Sequence, residues 1–424
     1  MQDWKTYKLS EFININPLVR LKANDKYSFV EMKDLDVNLK TVKPSDFKLL
    51  KGGAKFQDRD TLFARITPCL QNGKICQVRD LQNNVGFGST EFLVFRGKDG
   101  ISDTDFVYYL SREPFVRQFA EANMIGTSGR QRVAKEAFQN IKLELPPLQE
   151  QKAIAAILSA LDDKIELNLQ IIKTLEEMAM ALYKHWFVDF GPFQNGKFVE
   201  SELGIIPEGW EVKSVGEFVK HQKGFAFKSN WYQDEGKIVV RVSDTTSNSI
   251  DLNTCNKISE EQALVYKTYE LKTNDIIIAT VGSWPPNYSS VVGKVVRVPS
   301  IAEGGLLNQN AVKLNMKVKE VNQQGLLYCI LKTDRFLNYI VNSAQGSASQ
   351  ASIKLTDIFN YPIPFGKDIK LYDFSNQIEV FLEQQNFLIE ENQTLTILRD
   401  TLLPKLISGE VRVKDIEQMV AAAL

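Results

Sequence analysis

An α+β chain is what the sequence predicts: two unlike blocks of mixed strand and helix, separated by two long antiparallel coiled-coil helices in a pseudo-two-fold internal repeat. Three observations predict it. The two halves of the 424-residue chain match at a constant offset of 220 residues. Each half ends in a stretch with an apolar 3.5-residue period. Each of these stretches follows a block of short β-branched runs and turns. A chain of this length exceeds one ordinary core, and the pattern divides it into 1–145, a first block, 146–190, a helix, 191–369, a second block, and 370–424, a helix with a tail.

The repeat is legible residue by residue. Gly126 falls on Gly346, Val133 on Ile353, Thr174 and Leu175 on Thr394 and Leu395, Met178 on Leu398, and Leu182 on Leu402. Upstream the match loosens, as insertions would cause, although Glu11-Phe12 resembles Glu217-Phe218 and Gly73-Lys74 resembles Gly293-Lys294. In the blocks, 61–66, 90–95, 237–242, 275–281 and 291–298 have strand character, while 106–122 and 326–343 have helical apolar spacing.

From Glu150 to Phe190 the chain contains neither proline nor glycine, so one uninterrupted helix is expected, about 55 Å long over 150–187 at 1.5 Å per residue. Steps of four and three from Ile154 give Leu158, Leu161, Ile165, Asn168, Ile172, Leu175, Ala179, Leu182 and Trp186. The same steps from Phe374 give Ile378, Phe381, Gln385, Leu388, Asn392, Leu395, Arg399, Leu402 and Leu406. Both seams contain a polar residue mid-length, Asn168 and Gln385 or Asn392, which can fix register at some cost in stability. About 180 residues separate the helices, enough to bridge either orientation. The symmetry of the repeat is met by an antiparallel pair. Leu167, Leu169, Ile171 and Met178 are more apolar than a two-stranded seam requires, and either dock another protein or pack under the chain's own blocks.

Composition narrows the function. At 44% hydrophobic and 24% charged residues the chain is globular in character. No run approaches the roughly 18 apolar residues of a membrane span, and the opening MQDWK is too polar for a secretory signal, so no membrane association and a cytoplasmic location are expected. Cys69, Cys76, Cys255 and Cys329 show no metal-site spacing, and His185 and His221 are the only histidines; zinc sites, metal sites in general and histidine triads are disfavoured. The net charge of −1 does not advertise a nucleic-acid partner. Charge is nevertheless segregated: 126–135 (GTSGRQRVAK) has three cations and no acid, while 161–177 and the region from 374 are acid-rich.

Segments 145–151 (LPPLQEQ), 175–190 (LEEMAMALYKHWFVDF) and 398–411 (LRDTLLPKLISGEV), with RITPCLQNGK at 65–74, GFGSTEFLV at 86–94 and GFAFKSNWY at 224–232, stand out beside the repeat. Together they resemble the specificity (S, HsdS) subunits of type I restriction-modification systems. The likeness spans nearly the whole chain. It implies two target recognition domains that bind the two halves of a split double-stranded DNA sequence. It also implies docking of two modification subunits, adenine methyltransferases that hold S-adenosylmethionine, and of restriction subunits that use ATP and Mg. This chain itself would be non-catalytic and bind no cofactor.

The residues agree with that division. An autonomous methyltransferase needs an [N/D]-P-P-[Y/F] element; the nearest stretch, Trp284-Pro285-Pro286-Asn287-Tyr288, has Trp where the acceptor belongs and reads as a turn. Gly86-Phe87-Gly88 is half of a glycine-rich cofactor loop in a strand context, and no GxxxxGK[ST] occurs. The aromatic run 185–190 suits a packing plug better than a base-stacking platform. Base reading calls for bidentate donors and acceptors on turns beside strands, backed by Lys or Arg on phosphates. In the first block these are Arg65, Thr67, Gln71, Asn72, Lys74, Ser89, Thr90, Ser128, Arg130, Gln131 and Arg132. In the second they are Lys223, Lys228, Ser283, Asn287, Tyr288, Gln309, Asn310, Ser347, Ser349 and Gln350. Two alternatives stay open: a methyltransferase with degenerate motifs, and a protein-interaction scaffold that binds no DNA.

Overall fold

A computed structural model describes residues 4–127, 129–139, 141–245, 249–288, 290–317, 324–366 and 370–414. The chain forms two compact units, Met1–Leu167 with Asn392–Leu424, and Asn168–Glu391.

In the first unit the strand Thr61–Ala64 lies within a five-stranded sheet, flanked by Phe92–Gly97 and Ile75–Val78, with Ile13–Ile15 and Thr41–Val42 at its edges. All four of its residues are buried. Phe63, with Leu93 and Phe95, faces a core that contains Phe106, Phe138, Ile154, Leu158 and Leu406. Leu62, with Cys76 and Val94, faces a second core shared with Val30 and Phe56. Burial on both faces explains why the strand reads as a continuous apolar run rather than an alternation. Val30 and Phe56 belong to a four-stranded sheet ordered Asp46–Leu49, Lys26–Val30, Val85–Gly88, Ala54–Gln57. Gly86 and Gly88 are strand residues there. A Cβ on Gly88 would lie 2.3 Å from the Val30 carbonyl oxygen, so close strand approach accounts for the glycines.

The segment 106–122, expected as one helical stretch, is two helices, Thr104–Arg112 and Pro114–Ala122. Pro114 disfavours the helical conformation at Glu113, and the Glu113 carboxylate caps the second helix by accepting from Val116 N–H at 3.1 Å. The second unit repeats this with Gln324–Lys332 and Asp334–Ser343, where Thr333 is the cap. Thr104 and Gln324 are themselves 220 apart, as are Lys142–Leu145 and Pro362–Phe365, strands that precede the long helices. The repeat therefore holds further upstream than residue identity shows.

The second unit has a four-stranded sheet ordered Val219–Lys223, Ala311–Met316, Ile276–Ala279, Val295–Arg297. Two three-stranded sheets accompany it, Asn256–Ile258, Lys237–Val240, Leu306–Leu307 and Val281–Gly282, Gln350–Ser352, Gln345–Ser347. Its core joins Ile276, Ile278, Leu314 and Phe336 to Tyr183, Phe187, Phe374 and Ile378. Trp186, Phe187 and Phe190 of the aromatic run are buried in it, and the Phe187 and Phe374 rings lie 4.9 Å apart.

The long helices are Leu148–Phe187 and Lys370–Ser408. Their pairing is antiparallel in each unit. In the first, Ile154 and Leu158 share a core with Leu403 and Leu406. In the second, the end of the first helix meets the start of the other at Phe187 and Phe374. Every expected seam position is buried or half-buried. The polar ones form specific contacts: Asn168 Nδ2 donates to Glu391 Oε2 at 2.6 Å, Gln385 Nε2 to the Ile172 carbonyl at 3.0 Å, and Asn392 Nδ2 to the Ile165 carbonyl at 3.3 Å. Arg399, at a seam position, donates to buried Asp162 at 2.8 Å. Among the described residues no helix is long and apolar enough to cross a membrane.

Candidate nucleic-acid interface

In the first unit, strand Thr61–Ala64 runs out at Arg65, whose backbone is held on both sides. Its N–H donates to the Glu91 carbonyl at 3.0 Å, and its carbonyl accepts from Val133 N–H at 2.9 Å. Two further bonds lace this strand end to the 126–132 turn: Thr67 N–H to the Gln131 carbonyl at 3.0 Å, and Gln131 N–H to Thr67 Oγ1 at 2.9 Å. Arg65, Thr67, Ser89, Thr90, Arg130, Gln131 and Arg132 are thereby gathered on one rim. Gln71 and Asn72 are exposed on the adjoining loop. Lys74 is turned to internal use, its ammonium donating to the Met32 carbonyl at 2.8 Å. Ser128 lies outside the described residues.

The arginines of this rim are not equivalent. Arg132 is clamped by Glu91, with Nε to Oε2 at 2.9 Å and Nη2 to Oε1 at 2.7 Å, and the carboxylate holds it above the ordinary arginine range. Arg130 is exposed, and among the described residues its side chain makes no hydrogen bond or ion pair.

The second unit builds the same frame. Thr280 takes the place of Arg65: its N–H donates to the Asn310 carbonyl at 2.8 Å, and its carbonyl accepts from Ile353 N–H at 3.0 Å. Asn310 stands where Glu91 does, and Ser352, 220 residues on, where Arg132 does. A charged set is thus replaced by an uncharged one on an equivalent backbone. The hairpin Gln345–Ser347 and Gln350–Ser352 pairs with Val281–Gly282. It needs Gly346, at φ +155°, because a Cβ there would lie 2.0 Å from the Gln350 carbonyl oxygen. Trp284 Nε1 donates to the Ser347 carbonyl at 2.8 Å, and Ser283 Oγ to the Asn287 carbonyl at 2.9 Å. Gln309 N–H donates to the Phe225 carbonyl at 2.9 Å, beside Lys223 and Gly224. Ser283, Asn287, Gln309, Asn310, Ser347, Ser349, Gln350 and Lys223 are brought together around this strand end. Tyr288 is exposed in the turn 284–288, and Lys228 sits over the Trp231 ring at 5.4 Å.

Sequence reasoning missed Glu91, Thr280 and Lys55, the last lining an open cavity together with Arg65 and Thr90. An acid inside GSTEF, near a basic turn, was the available signal for Glu91. For Thr280 it was the strand-end rule that singled out Arg65. Nothing in the sequence marks Lys55.

Leu167, Leu169, Ile171 and Met178 are exposed and do not pack under either block. The second helix exposes Phe387 and Leu398, the residues 220 positions after Leu167 and Met178.

Two strand-end frames of one design, presenting unlike polar side chains, define a protein class that comparison with known proteins identifies. Residues 1–177 and 207–368 match the type I restriction modification DNA specificity domain, and the chain belongs to that family. It is similar to the specificity subunit of the MjaIX type I restriction enzyme of Methanocaldococcus jannaschii, 27% identical over 93% of this chain and 86% of that protein. It is also 27% identical to the HindI specificity subunit of Haemophilus influenzae, over 97% of this chain and 100% of that one. The crystal structure of the S subunit of a type I restriction-modification system from M. genitalium shares the fold, with a TM-score of 0.50 at 15% identity over 96% of both chains.

Proposed function

We propose that each unit reads one half of a bipartite double-stranded DNA target, the two half-sites being unlike. The observation behind this reading is the frame built twice, with Arg65, Glu91 and Arg132 in one unit and Thr280, Asn310 and Ser352 in the other. Side chains at strand ends are held by backbone bonds on a rigid scaffold, as base readout requires. The chain contributes recognition, and the chemistry belongs to partners: S-adenosylmethionine on two modification subunits that methylate adenine, ATP and Mg on restriction subunits. The exposed apolar pairs support two equivalent seats for modification subunits, Leu167 with Leu398 in the first unit and Phe387 with Met178 in the second. The length of the paired helices sets the unread gap between half-sites.

The test is to map methylated adenines in DNA from cells with and without the chain. A split motif with two different halves, lost when the chain is deleted, is expected. Methylation that persists without the chain, or a motif with no gap, overturns the reading.

A further inference from the structure

We propose that Arg65 reads a guanine in the half-site of the first unit, with Arg132 serving as a brace. This rests on the reading of the unit as a DNA-recognition domain. Arg65 lines an open cavity of about 420 Å³ together with Asn16, Leu18, Lys55, Thr90 and Phe92. No carboxylate lines it, and Lys55 adds a second cation. One wall is kept thin by Gly53, where a Cβ would lie 2.0 Å from the Gly88 carbonyl oxygen.

Among the described residues Arg65 has no hydrogen-bond or ion-pair partner for its side chain, and its Nε is shielded from solvent without an acceptor. The guanidinium as a whole is half-buried, and an Nε–H shielded from water and left unpaired is unfavourable in the free protein and is expected where a ligand completes the polar network. The ligand must offer acceptors spaced for a planar fork. In the DNA major groove the guanine O6 and N7 pair does so.

The neighbouring arginines are worse placed for this. The Nε/Nη2 edge of Arg132 is already filled by Glu91. Arg130 stands exposed on a turn, where it suits a phosphate, which needs charge more than orientation. Arg65 combines a free fork with a backbone fixed on both sides and a place in the lining of the cavity beside Leu18 and Phe92. The same seat in the second unit is Thr280, which has no fork, so the guanine preference belongs to one half-site.

The experiment uses the full chain assembled with its modification subunits and a pool of duplexes of randomised sequence, with retained duplexes sequenced for wild type, Arg65→Ala and Arg65→Lys. Wild type is expected to select a split motif. Arg65→Ala should lose the preference at one G·C pair in one half, Arg65→Lys, which lacks the planar fork, should weaken it at the same pair, and both should keep the other half unchanged. Affinity of the Ala variant for the parental motif should fall about 10- to 100-fold. Arg65→Lys keeps length and charge, so the test survives a folding defect in the Ala variant. An unchanged motif in both variants overturns the assignment, as does a uniform loss across all sequences that Lys restores, the pattern of a phosphate contact. A wild-type assembly that selects no split motif overturns the recognition reading itself, a result distinct from either of these.

Discussion

The first unit buries a charge pair in its helix seam where the second buries an apolar one, and this difference can be exchanged. Asp162 and Arg399 are 2% and 4% exposed. Arg399 Nη1 donates to Asp162 Oδ1 at 2.8 Å, and Tyr109 Oη to Oδ2 at 2.7 Å. The positions 220 away are Leu382 and Ala179, both buried in the core of the second unit. Removing one member of a buried pair strands the other, so Arg399→Ala should cost about 3–5 kcal/mol. Replacing both partners, as Asp162→Leu with Arg399→Ala, reproduces the pair of the second unit. It should recover all but about 1–2 kcal/mol, the remainder reflecting the acceptor lost by Tyr109 and the smaller side-chain volume. Of the five tryptophans, Trp4 alone belongs to the first unit, so its fluorescence in a variant lacking the other four follows that unit in urea. A loss below about 1 kcal/mol for the single variant, or a double variant no more stable than the single one, refutes the reasoning.

Four other outcomes are expected. Arg130→Ala should reduce the slope of log affinity against log salt by about one phosphate contact, whereas Arg132→Ala, whose charge Glu91 already neutralises, should change that slope less; equal effects would count against the brace. Leu167→Glu with Met178→Glu should abolish co-purification with modification subunits and leave the unfolding curve of the chain unchanged, and retained co-purification would move the seat elsewhere. Deleting one heptad from each long helix shortens it by about 10 Å, which should shift the tolerated gap by about three base pairs in methylation maps. Burial, with a smaller contribution from Lys332, brings Lys294 down to about 8 from its ordinary 10.5. Between those two pH values the unfolded chain binds more protons, so stability rises with pH there and the penalty is complete below about 8. Lys294→Met should therefore stabilise the protein by about 1 kcal/mol at pH 7, after discounting for a half-exposed group, with the gain gone above about pH 10.5 in urea titrations.

The helices were the most legible part of the sequence, because a seam of 3.5-residue period constrains every third or fourth residue over ten turns. Ile154, Leu158, Phe374 and Leu406 could hardly be elsewhere. The break at Glu113 was masked because the apolar spacing continues across it; the proline at 114 and the capping carboxylate decide it locally. The repeat was under-read upstream for a related reason. Phe106 and Leu326, or Val116 and Phe336, fill equivalent buried positions with different shapes, so packing keeps the helices in register while identity disappears. At the site, strand-end logic located the right turns. It could not separate Arg65 from Arg132, since which arginine meets a carboxylate depends on Glu91, in a turn some 40 residues before Arg132.

That separation bears on how such a frame acquires a new specificity. Phe63, Leu93 and Phe138 fill the core on the strand interiors, while Arg65 and Glu91 are joined by backbone bonds at the strand ends. In the second unit Thr280 and Asn310 make the same backbone bond at 2.8 Å with no charged side chain at all. The frame is therefore indifferent to the side chains it presents, and an exchange at the seat costs little of the core. Arg132 is the exception, because its clamp joins the residues before Val133 to Glu91 in the turn before strand Phe92–Gly97. On the proposed reading, a change at Glu91 should thus alter how Arg130 to Arg132 are presented, and with them several base or phosphate contacts at once, whereas a change at Arg65 should alter one.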